Sequence, residues 1–169
     1  MKCANFVVNR PMYSTIIDSL CKKKLVADAC NLYYEMIVKK ISLNVITFTS
    51  LMYGFCAIGH LNEAIALLNH MKMKNINQTI YTFNILVDVA CTEGKMKEAK
   101  IVIAAMVKEG MKPDVVSYIT LMNRYCLINE VKQAKYVFNA VVQDGITPGV
   151  HSYMIMIDGF CKKKMIDES

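Results

Sequence analysis

The sequence predicts an all-α protein, a right-handed α-solenoid built from 35-residue helix–turn–helix repeats. The first observation is a cysteine that recurs every 35 residues, at Cys21, Cys56, Cys91, Cys126 and Cys161. Two more residue types keep the same step: an aromatic residue at Tyr13, Phe48, Phe83, Tyr118 and Tyr153, and an alanine at Ala29, Ala64, Ala99 and Ala134. A fixed period of this length is typical of stacked helical repeats. Such an array offers a long continuous surface instead of a single pocket.

Each repeat is predicted to form two amphipathic helices, and residues 80–114 show this most clearly. The apolar residues of the first helix follow the spacing of one helix face: Phe83, Leu86, Val87, Ala90 and Cys91. The second helix shows the same spacing at Met96, Ala99, Val102, Ile103 and Met106. Gly94 separates the two helices, because glycine readily adopts the left-handed conformation that ends a helix. Gly110 and Pro113 close the repeat, since proline cannot continue a helix.

The period divides the chain into an N-terminal stub, four complete repeats and a truncated fifth repeat: residues 1–9, 10–44, 45–79, 80–114, 115–149 and 150–169. The first helix of the fifth repeat is expected at about His151 to Lys163. The chain then stops at Ser169, where earlier repeats carry the alanine that packs between paired helices. We therefore expect a piece of a longer array, with apolar surface left uncovered at Met154, Ile157, Phe160 and Cys161.

Composition and cysteine spacing exclude several classes of protein. No run approaches the ~18 apolar residues of a membrane-spanning helix, whereas the net charge of +6 permits a polyanionic partner. Cysteines one repeat apart lie about 10 Å or more from each other, too far for a disulfide, so we expect small buried thiols in an intracellular or organellar compartment. No Cys-x-x-Cys pair is present, and His60, His70 and His151 occupy unlike places in their repeats. We therefore expect no metal site, no cofactor and no enzymatic activity.

Three motifs carry a resemblance to a known family. Residues 115–122 are Val-Val-Ser-Tyr-Ile-Thr-Leu-Met, residues 94–99 are Gly-Lys-Met-Lys-Glu-Ala, and residues 109–114 are Glu-Gly-Met-Lys-Pro-Asp. With the 35-residue period, these motifs resemble the pentatricopeptide repeat over nearly the whole chain, from Arg10 to Ser169. Tyr-Gly-Phe-Cys at 53–56 and Asp-Gly-Phe-Cys-Lys at 158–162 resemble the P-class arrays of land plants, especially the restorer-of-fertility-like group. Tetratricopeptide repeats differ in their period of about 34 residues and their characteristic tryptophan, which this chain lacks.

The resemblance implies sequence-specific binding of single-stranded RNA, with one base read per repeat by two or three side chains. In the family, the residue after the aromatic residue selects the base together with the last residue of the repeat. The corresponding pairs are Ser14 with Asn44, Thr49 with Thr79, and Asn84 with Asp114. The family pairings imply adenine for the first pair, an undefined base for the second and uracil for the third. The last two repeats offer side chains that cannot hydrogen-bond a base edge: Ile119 with Gly149, and Met154.

The resemblance also implies contacts to base faces and phosphates. The base-stacking position, two residues before the aromatic residue, is occupied by Pro11, Ile46, Tyr81, Val116 and His151. Lys22 and Lys162 occupy the place where a family lysine meets phosphate. The implied partners are single-stranded RNA and other proteins of organellar RNA metabolism, with no membrane and no small-molecule substrate. The implied location is the mitochondrion, with the plastid as the alternative, although the first ten residues show no transit segment.

Each of these interpretations has an alternative. Residues that make good N-caps without any RNA end the four complete repeats: Asn44, Thr79, Asp114 and Gly149. Lys22 and Lys162 lie at the ends of first helices, where the helix dipole favours a cation. For the whole chain, the alternatives to RNA binding are a protein-interaction scaffold that uses its groove for a peptide, and an inactive gene fragment.

Overall fold

The computed structural model describes residues 9–167, and all regular secondary structure in that range is helical. The helices are α1 Arg10–Lys22, α2 Val26–Val38, α3 Val45–Ala57, α4 Leu61–Met73, α5 Ile80–Thr92, α6 Met96–Lys108, α7 Val115–Leu127, α8 Val131–Gln143 and α9 Val150–Asp167. None of these described helices combines the length and the apolar character that a bilayer span requires. The predictions for residues 1–8 and for Ser169 lie outside the described residues.

The chain divides after Gln78 into two compact units, and each is described by itself. In the first unit, α1 pairs with α2 and α3 pairs with α4, while α1 also packs against α3. In the second unit, α5 pairs with α6 and α7 pairs with α8, and α7 lies between α5 and α9. In both units, therefore, the first helix of one repeat packs against the first helix of the next. A single helix pair cannot bury its apolar faces alone, so this contact completes the core of each unit.

The first helices of the repeats begin at residues that cap them. The Asn44 side chain accepts a hydrogen bond from the Thr47 backbone N–H at 2.9 Å, and Asn9 caps α1 in the same way. The side chains of Thr79 and Asp114 form reciprocal capping boxes at the starts of α5 and α7. The capping role expected for Asn44, Thr79 and Asp114 is therefore confirmed. It satisfies backbone donors that would otherwise have no partner in the first helical turn.

The turn within each helix pair contains one residue in the left-handed conformation, whether or not that residue is glycine. The φ angle is 62° at Lys24, 78° at Gly59, 74° at Gly94 and 62° at Asn129. A left-handed residue other than glycine costs roughly 1–2 kcal/mol, and asparagine tolerates it better than lysine. Packing of the helix pair therefore offsets the cost of the left-handed conformation at Lys24, and the turn there is the same as at glycine.

The recurring small residues lie at the closest contacts of the core. The four alanines that recur at the starts of second helices are completely buried: Ala29, Ala64, Ala99 and Ala134. Cys21 is 1% exposed and lies against Gly54, where an added Cβ would come within 2.7 Å of the Cys21 sulfur. Gly159 makes the equivalent contact with Cys126. Burial of the recurring cysteine as a small apolar residue is confirmed for Cys21, Cys56, Cys91 and Cys126, whereas Cys161 is exposed.

The last helix is longer than expected. The sequence predicts a helix from about His151 to Lys163, but α9 continues without a turn to Asp167. Lys164 occupies the position where Lys24 and Gly59 turn the chain in earlier repeats. Among the described residues, α9 packs against α7 and α8 of the preceding repeat and has no paired helix of its own repeat. A left-handed turn at Lys164 would carry the usual cost for a residue other than glycine. Apolar side chains of α9 are exposed, as predicted, at Met154, Ile157 and Phe160.

Candidate nucleic-acid interface

The first unit brings together both kinds of RNA-contacting residue predicted for the first repeat. Ser14 and Asn44, the base-selecting pair, line a cleft of about 390 Å³ together with Pro11 and Ile46, the stacking pair. Pro11 and Ser14 are three residues apart on α1 and therefore lie on the same face of that helix. We call these four residues and Thr47 the first-repeat site.

Hydrogen bonds determine which polar atoms the first-repeat site leaves available. The Thr47 backbone N–H and the Thr47 hydroxyl both donate to Asn44 Oδ1, each at 2.9 Å. Since the Thr47 hydroxyl has a single hydrogen, Ser14 is the donor in its 3.0 Å contact with Thr47 Oγ1. Within the described residues, the Ser14 lone pairs and the Asn44 amide nitrogen make no other hydrogen bond. Ser14 is 5% exposed and Asn44 is half-buried, and both line the cleft. The site therefore offers, through the cleft, an acceptor on Ser14 and a donor on Asn44.

The third repeat has the equivalent arrangement, entirely within the second unit. Asn84 Nδ2 donates to Asp114 Oδ1 at 3.1 Å, and Ser117 Oγ donates to Asn84 Oδ1 at 2.5 Å. The Ser117 backbone N–H also donates to Asp114 Oδ1, at 3.0 Å. In the described part of the chain, the second Asn84 N–H has no acceptor, and Asp114 Oδ2 accepts no side-chain hydrogen bond. These three residues, with Tyr81 and Val116, form the third-repeat site, which offers a donor on Asn84 and an acceptor on Asp114.

The carboxyl group of Asp114 is ionised at neutral pH. Burial alone would raise its pKa, but hydrogen bonds from the Ser117 backbone, the Asn84 amide and the Val116 backbone together hold the pKa below its ordinary value. An ionised carboxylate only accepts hydrogen bonds. Asp114 is thus a fixed acceptor, whereas Asn44, at the same position of the first repeat, uses its amide nitrogen as a donor.

The predicted stacking residues are accessible to a planar ligand. Tyr81 is 66% exposed and Val116 is 57% exposed, and they lie on α5 and α7, which pack against each other. Ile46 is 59% exposed on α3. Pro11 and His151 are also exposed. Apolar and aromatic surface of this kind, next to the polar pairs, is suited to covering the face of a base.

The second pair is less suited to base recognition. The Thr49 hydroxyl donates to the backbone carbonyls of Val45 at 2.9 Å and Ile46 at 3.1 Å, within its own helix. Thr79 belongs to the other unit, where it caps α5. Back-bonding of a threonine to the preceding turn is common in helices and needs no ligand. The geometry at Thr49 therefore favours the structural interpretation.

The predicted phosphate-binding lysines are both exposed, but Lys22 already has a partner. Lys22 Nζ lies 2.6 Å from Asp18 Oδ2, one helical turn away. Asp18 also lines the cleft of the first-repeat site, so a carboxylate stands beside the expected RNA path. Lys162 is exposed on α9. The described residues contain no group of three or more His, Cys, Asp or Glu side chains that could hold a metal ion.

The sequence interpretation missed the residues that hold the polar pairs together. Thr47 and Ser117 each contact both members of a pair, and each is completely buried. A signal for them was present, because a hydroxyl residue recurs with the 35-residue step: Thr47, Thr82, Ser117 and Ser152. A recurring hydroxyl at this position is usual for helix capping and does not indicate a further role. The second contact of Thr47 and Ser117, to the preceding repeat, is visible only in the structure.

The helices and polar pairs together define a helical-repeat protein with a small polar site in each of its two units. The model of the PPR repeat family matches residues 9–57, 43–92, 78–127 and 113–162. This chain therefore belongs to the PPR repeat family.

Known proteins and structures agree with this assignment. A pentatricopeptide repeat-containing protein of Arabidopsis thaliana is 38% identical over 53 residues, which cover 31% of this chain and 8% of that protein. The crystal structure of the pentatricopeptide repeat protein PPR10 from maize superposes with a TM-score of 0.84 at 25% identity, over 93% of this chain and 22% of PPR10. The chain thus spans less than a quarter of the length of these relatives. The match confirms the predicted fold class, an all-α array of helical repeats.

Two similar structures were solved with RNA. PPR10 in complex with an 18-nucleotide psaJ RNA element gives a TM-score of 0.83 at 24% identity, over 97% of this chain and 24% of PPR10. The PPR domain of Arabidopsis thaliana protein-only RNase P 1, in complex with tRNA, gives 0.71 at 18% identity, over 93% of this chain and 83% of that domain. At these identities the likeness concerns the fold.

Proposed function

We propose that this chain binds single-stranded RNA and selects bases with the polar pairs of its repeats, one base per repeat. The observation that carries the proposal is the third-repeat site. Asn84 and Asp114 are held together by hydrogen bonds, yet each keeps hydrogen-bonding capacity that no described residue uses. Both side chains are partly exposed, so water occupies these groups in the free chain and the edge of a base can replace it. The RNA-bound PPR structures support the same function by analogy.

The direction of the available hydrogen bonds indicates which bases fit. The third-repeat site pairs a donor on Asn84 with an acceptor on Asp114, which complements the carbonyl oxygen and adjacent ring N–H of uracil. The first-repeat site pairs an acceptor on Ser14 with a donor on Asn44, which complements the exocyclic amino group and adjacent ring nitrogen of adenine. Recognition of unstacked bases through such edges is the usual mode for single-stranded RNA. The family pairings assign the same two bases, so chemistry and resemblance agree.

Stacking and charge supply the remaining affinity. Each base stacked on an aromatic side chain contributes about 1–3 kcal/mol, and Tyr81 is the exposed aromatic residue at the third-repeat site. The net charge of +6 favours a polyanion, and this contribution weakens as salt is added. With two well-formed sites in the described part of the chain, we expect weak binding at physiological salt and measurable binding at low salt.

At the cellular level, we propose that the chain acts on organellar transcripts, as a binding protein that stabilises them, directs their processing or controls their translation. Family membership and the plant source of the similar proteins support this proposal. The mitochondrion is the proposed location and the plastid is the alternative. Other proteins of organellar RNA metabolism are the proposed protein partners.

Fluorescence anisotropy with short labelled RNAs at low salt tests the proposed function. The wild-type chain should prefer an oligonucleotide that carries adenine, any base and uracil, in 5′ to 3′ order, over one that carries cytosine and guanine at the two selected places. Equal binding of the two RNAs would contradict base selection. Binding to members of a peptide array, with no binding to RNA, would favour the protein-interaction scaffold instead.

A further inference from the structure

A hydroxyl residue recurs three positions after the last residue of each complete repeat, and it is buried in every case. It is the third residue of the first helix in four successive repeats: Thr47, Thr82, Ser117 and Ser152. These residues are 0–2% exposed, so no RNA could contact their hydroxyl groups directly. A threonine or serine at the N3 position of a helix explains one hydrogen bond to the N-cap residue. It does not explain a second contact to the preceding repeat.

Thr47 and Ser117 make that second contact. Thr47 Oγ1 lies 2.9 Å from Asn44 Oδ1 and 3.0 Å from Ser14 Oγ, although Ser14 is 33 residues away in the sequence. Ser117 Oγ lies 3.0 Å from Asp114 Oδ1 and 2.5 Å from Asn84 Oδ1, again across 33 residues. In each unit, therefore, one buried hydroxyl contacts both members of the polar pair of the preceding repeat.

We propose that this hydroxyl is a positioning residue for base selection, because it determines which atoms of the pair remain available to the base. The inference rests on the proposed function and names, for each of the two sites, a residue that controls which base is preferred. Thr47 sets the first-repeat site, and Ser117 sets the third-repeat site. Neither residue touches the RNA.

The Thr47 hydroxyl has a single hydrogen to donate. That hydrogen goes to Asn44 Oδ1, so the Ser14 hydroxyl hydrogen is committed to Thr47 and only the lone pairs of Ser14 are available. A serine hydroxyl is otherwise both donor and acceptor, with a freely rotating hydrogen. Without the Thr47 hydroxyl, Ser14 could donate to a carbonyl oxygen as readily as it accepts from an amino group. Adenine would then lose its advantage over uracil at the first-repeat site.

Ser117 contacts an amide group, which can adopt either of two orientations. The oxygen and the NH₂ group of asparagine occupy nearly equivalent positions, so the orientation of Asn84 depends on its partners. Ser117 donates to Asn84 Oδ1 while Asp114 accepts from Asn84 Nδ2, and the two contacts together define one orientation. Loss of the Ser117 hydroxyl leaves the amide oxygen in need of a donor. The Asn84 amide could then rotate toward water or the base, and its N–H group would no longer be held where uracil requires a donor.

The test measures base preference instead of affinity alone. Ser117→Ala should lower the preference for uracil over cytosine at the third base of the oligonucleotide by about fivefold or more. This factor corresponds to the lower end of the free energy that one base contact contributes. Ser117→Thr should retain the preference, because Thr47 and Thr82 occupy the same position in other repeats. Thr47→Val should lower the preference for adenine over uracil at the first base of the oligonucleotide and leave the preference at the third base unchanged.

Ser152→Ala is the matched control, because Ser152 is equally buried but follows Ile119 and Gly149, which cannot select a base. It should leave both preferences unchanged. Thermal unfolding of every variant checks that folding is preserved. If Ser117→Ala does not fold, Thr47→Val tests the same role at the first-repeat site, because valine keeps the shape of the threonine side chain. If Ser117→Ala and Thr47→Val fold and keep the wild-type preferences, the positioning role is wrong. If the wild-type chain itself shows no preference, the proposed function is wrong and the inference falls with it.

A measurement without RNA reports on the same contact. In Ser117→Ala, nuclear magnetic resonance should show that the pKa of the Asp114 carboxyl rises toward its ordinary value. The Asn84 amide, which donates to Asp114 Oδ1, loses the Ser117 contact that fixes its orientation. An unchanged pKa would overturn the claim that Ser117 holds this pair.

Discussion

The first-repeat and third-repeat sites use the same backbone positions but offer opposite hydrogen-bonding patterns. In the first, the residue on the helix is an acceptor, Ser14, and the capping residue is a donor, Asn44. In the third, the residue on the helix is a donor, Asn84, and the capping residue is an acceptor, Asp114. Each pair contacts one buried hydroxyl of the following helix. Two substitutions on a constant frame therefore reverse the chemistry that a base would meet.

Comparing the two sites separates the repeated helical framework, with its caps, turns and buried small residues, from the polar side chains that it carries. Caps, turns and buried small residues recur in both units, even where the local sequence disfavours them, as at Lys24. The polar pairs vary from repeat to repeat without disturbing this frame. The largest effects are expected from changes to the buried core, followed by changes to the polar pairs, and the smallest from changes to the turns.

The largest effect is expected from placing a charge in the cysteine column of the first unit. Cys21 is 1% exposed, lies against Gly54, and burial raises the pKa of its thiol to about 11. Cys21→Asp should lower the free energy of unfolding by about 3–5 kcal/mol, because the buried carboxylate has no cationic partner. Chemical denaturation measures the loss. Cys161→Asp, on the exposed end of the same column, should change stability very little, and equal losses at both positions would contradict the packing described for Cys21.

The exchange of chemistry is tested by converting one site into the other. Ser14→Asn combined with Asn44→Asp should give the first-repeat site the pattern of the third, and its preference should change from adenine to uracil. Each base-edge contact contributes roughly 1–3 kcal/mol, so the ratio of the two affinities should change by about tenfold or more. Competition binding with RNAs that differ only at the first selected base measures this ratio. A double variant that folds and still prefers adenine would show that other residues select the base.

A smaller effect is expected from acid, and only at the third-repeat site. The pKa of Asp114 is lower in the folded chain than the ordinary aspartate value of about 3.9, so its ionised form stabilises the fold at neutral pH. This contribution should be fully present above the ordinary value and lost as the pH falls through the lower, folded-state pKa. Denaturation as a function of pH should show a shallower acid loss in Asp114→Asn than in the wild-type chain. Identical acid profiles would contradict the lowered pKa.

The smallest effect concerns the turns. Lys24→Gly should stabilise the first unit by about 0.5–1 kcal/mol, because glycine removes the cost of the left-handed conformation while adding disorder to the unfolded chain. Gly94→Lys, the reciprocal change in the second unit, should destabilise by a similar amount. Denaturation of both variants checks the sign, and a destabilising Lys24→Gly would mean that the lysine side chain makes a contact worth more than the strain.

Much of the frame was predictable from residue types alone. The step of 35 residues predicted helix pairs, and the first helices begin at residues 10, 45, 80, 115 and 150. The recurring cysteine was predicted to be buried because small apolar residues are needed where helices approach closely, and Cys21 meets Gly54 in that way. Asn44 and Asp114 were predicted as caps because they precede a helix and have short polar side chains. These features depend on local conformation and on periodic burial, which the order of residues encodes directly.

The sequence by itself determined the repeat, the helices, the caps and the identity of the polar pairs. Only the tertiary structure decided that Thr47 and Ser117 bridge those pairs, that Asp18 pairs with Lys22 beside the cleft, and that α9 continues past Lys164. The physical reason is that a side-chain hydrogen bond depends on tenths of an ångström and on the number of hydrogens each partner can give. Residues 33 positions apart acquire that geometry only when neighbouring first helices pack. Periodicity places residues on a face, but packing decides which atoms on that face remain available to a partner.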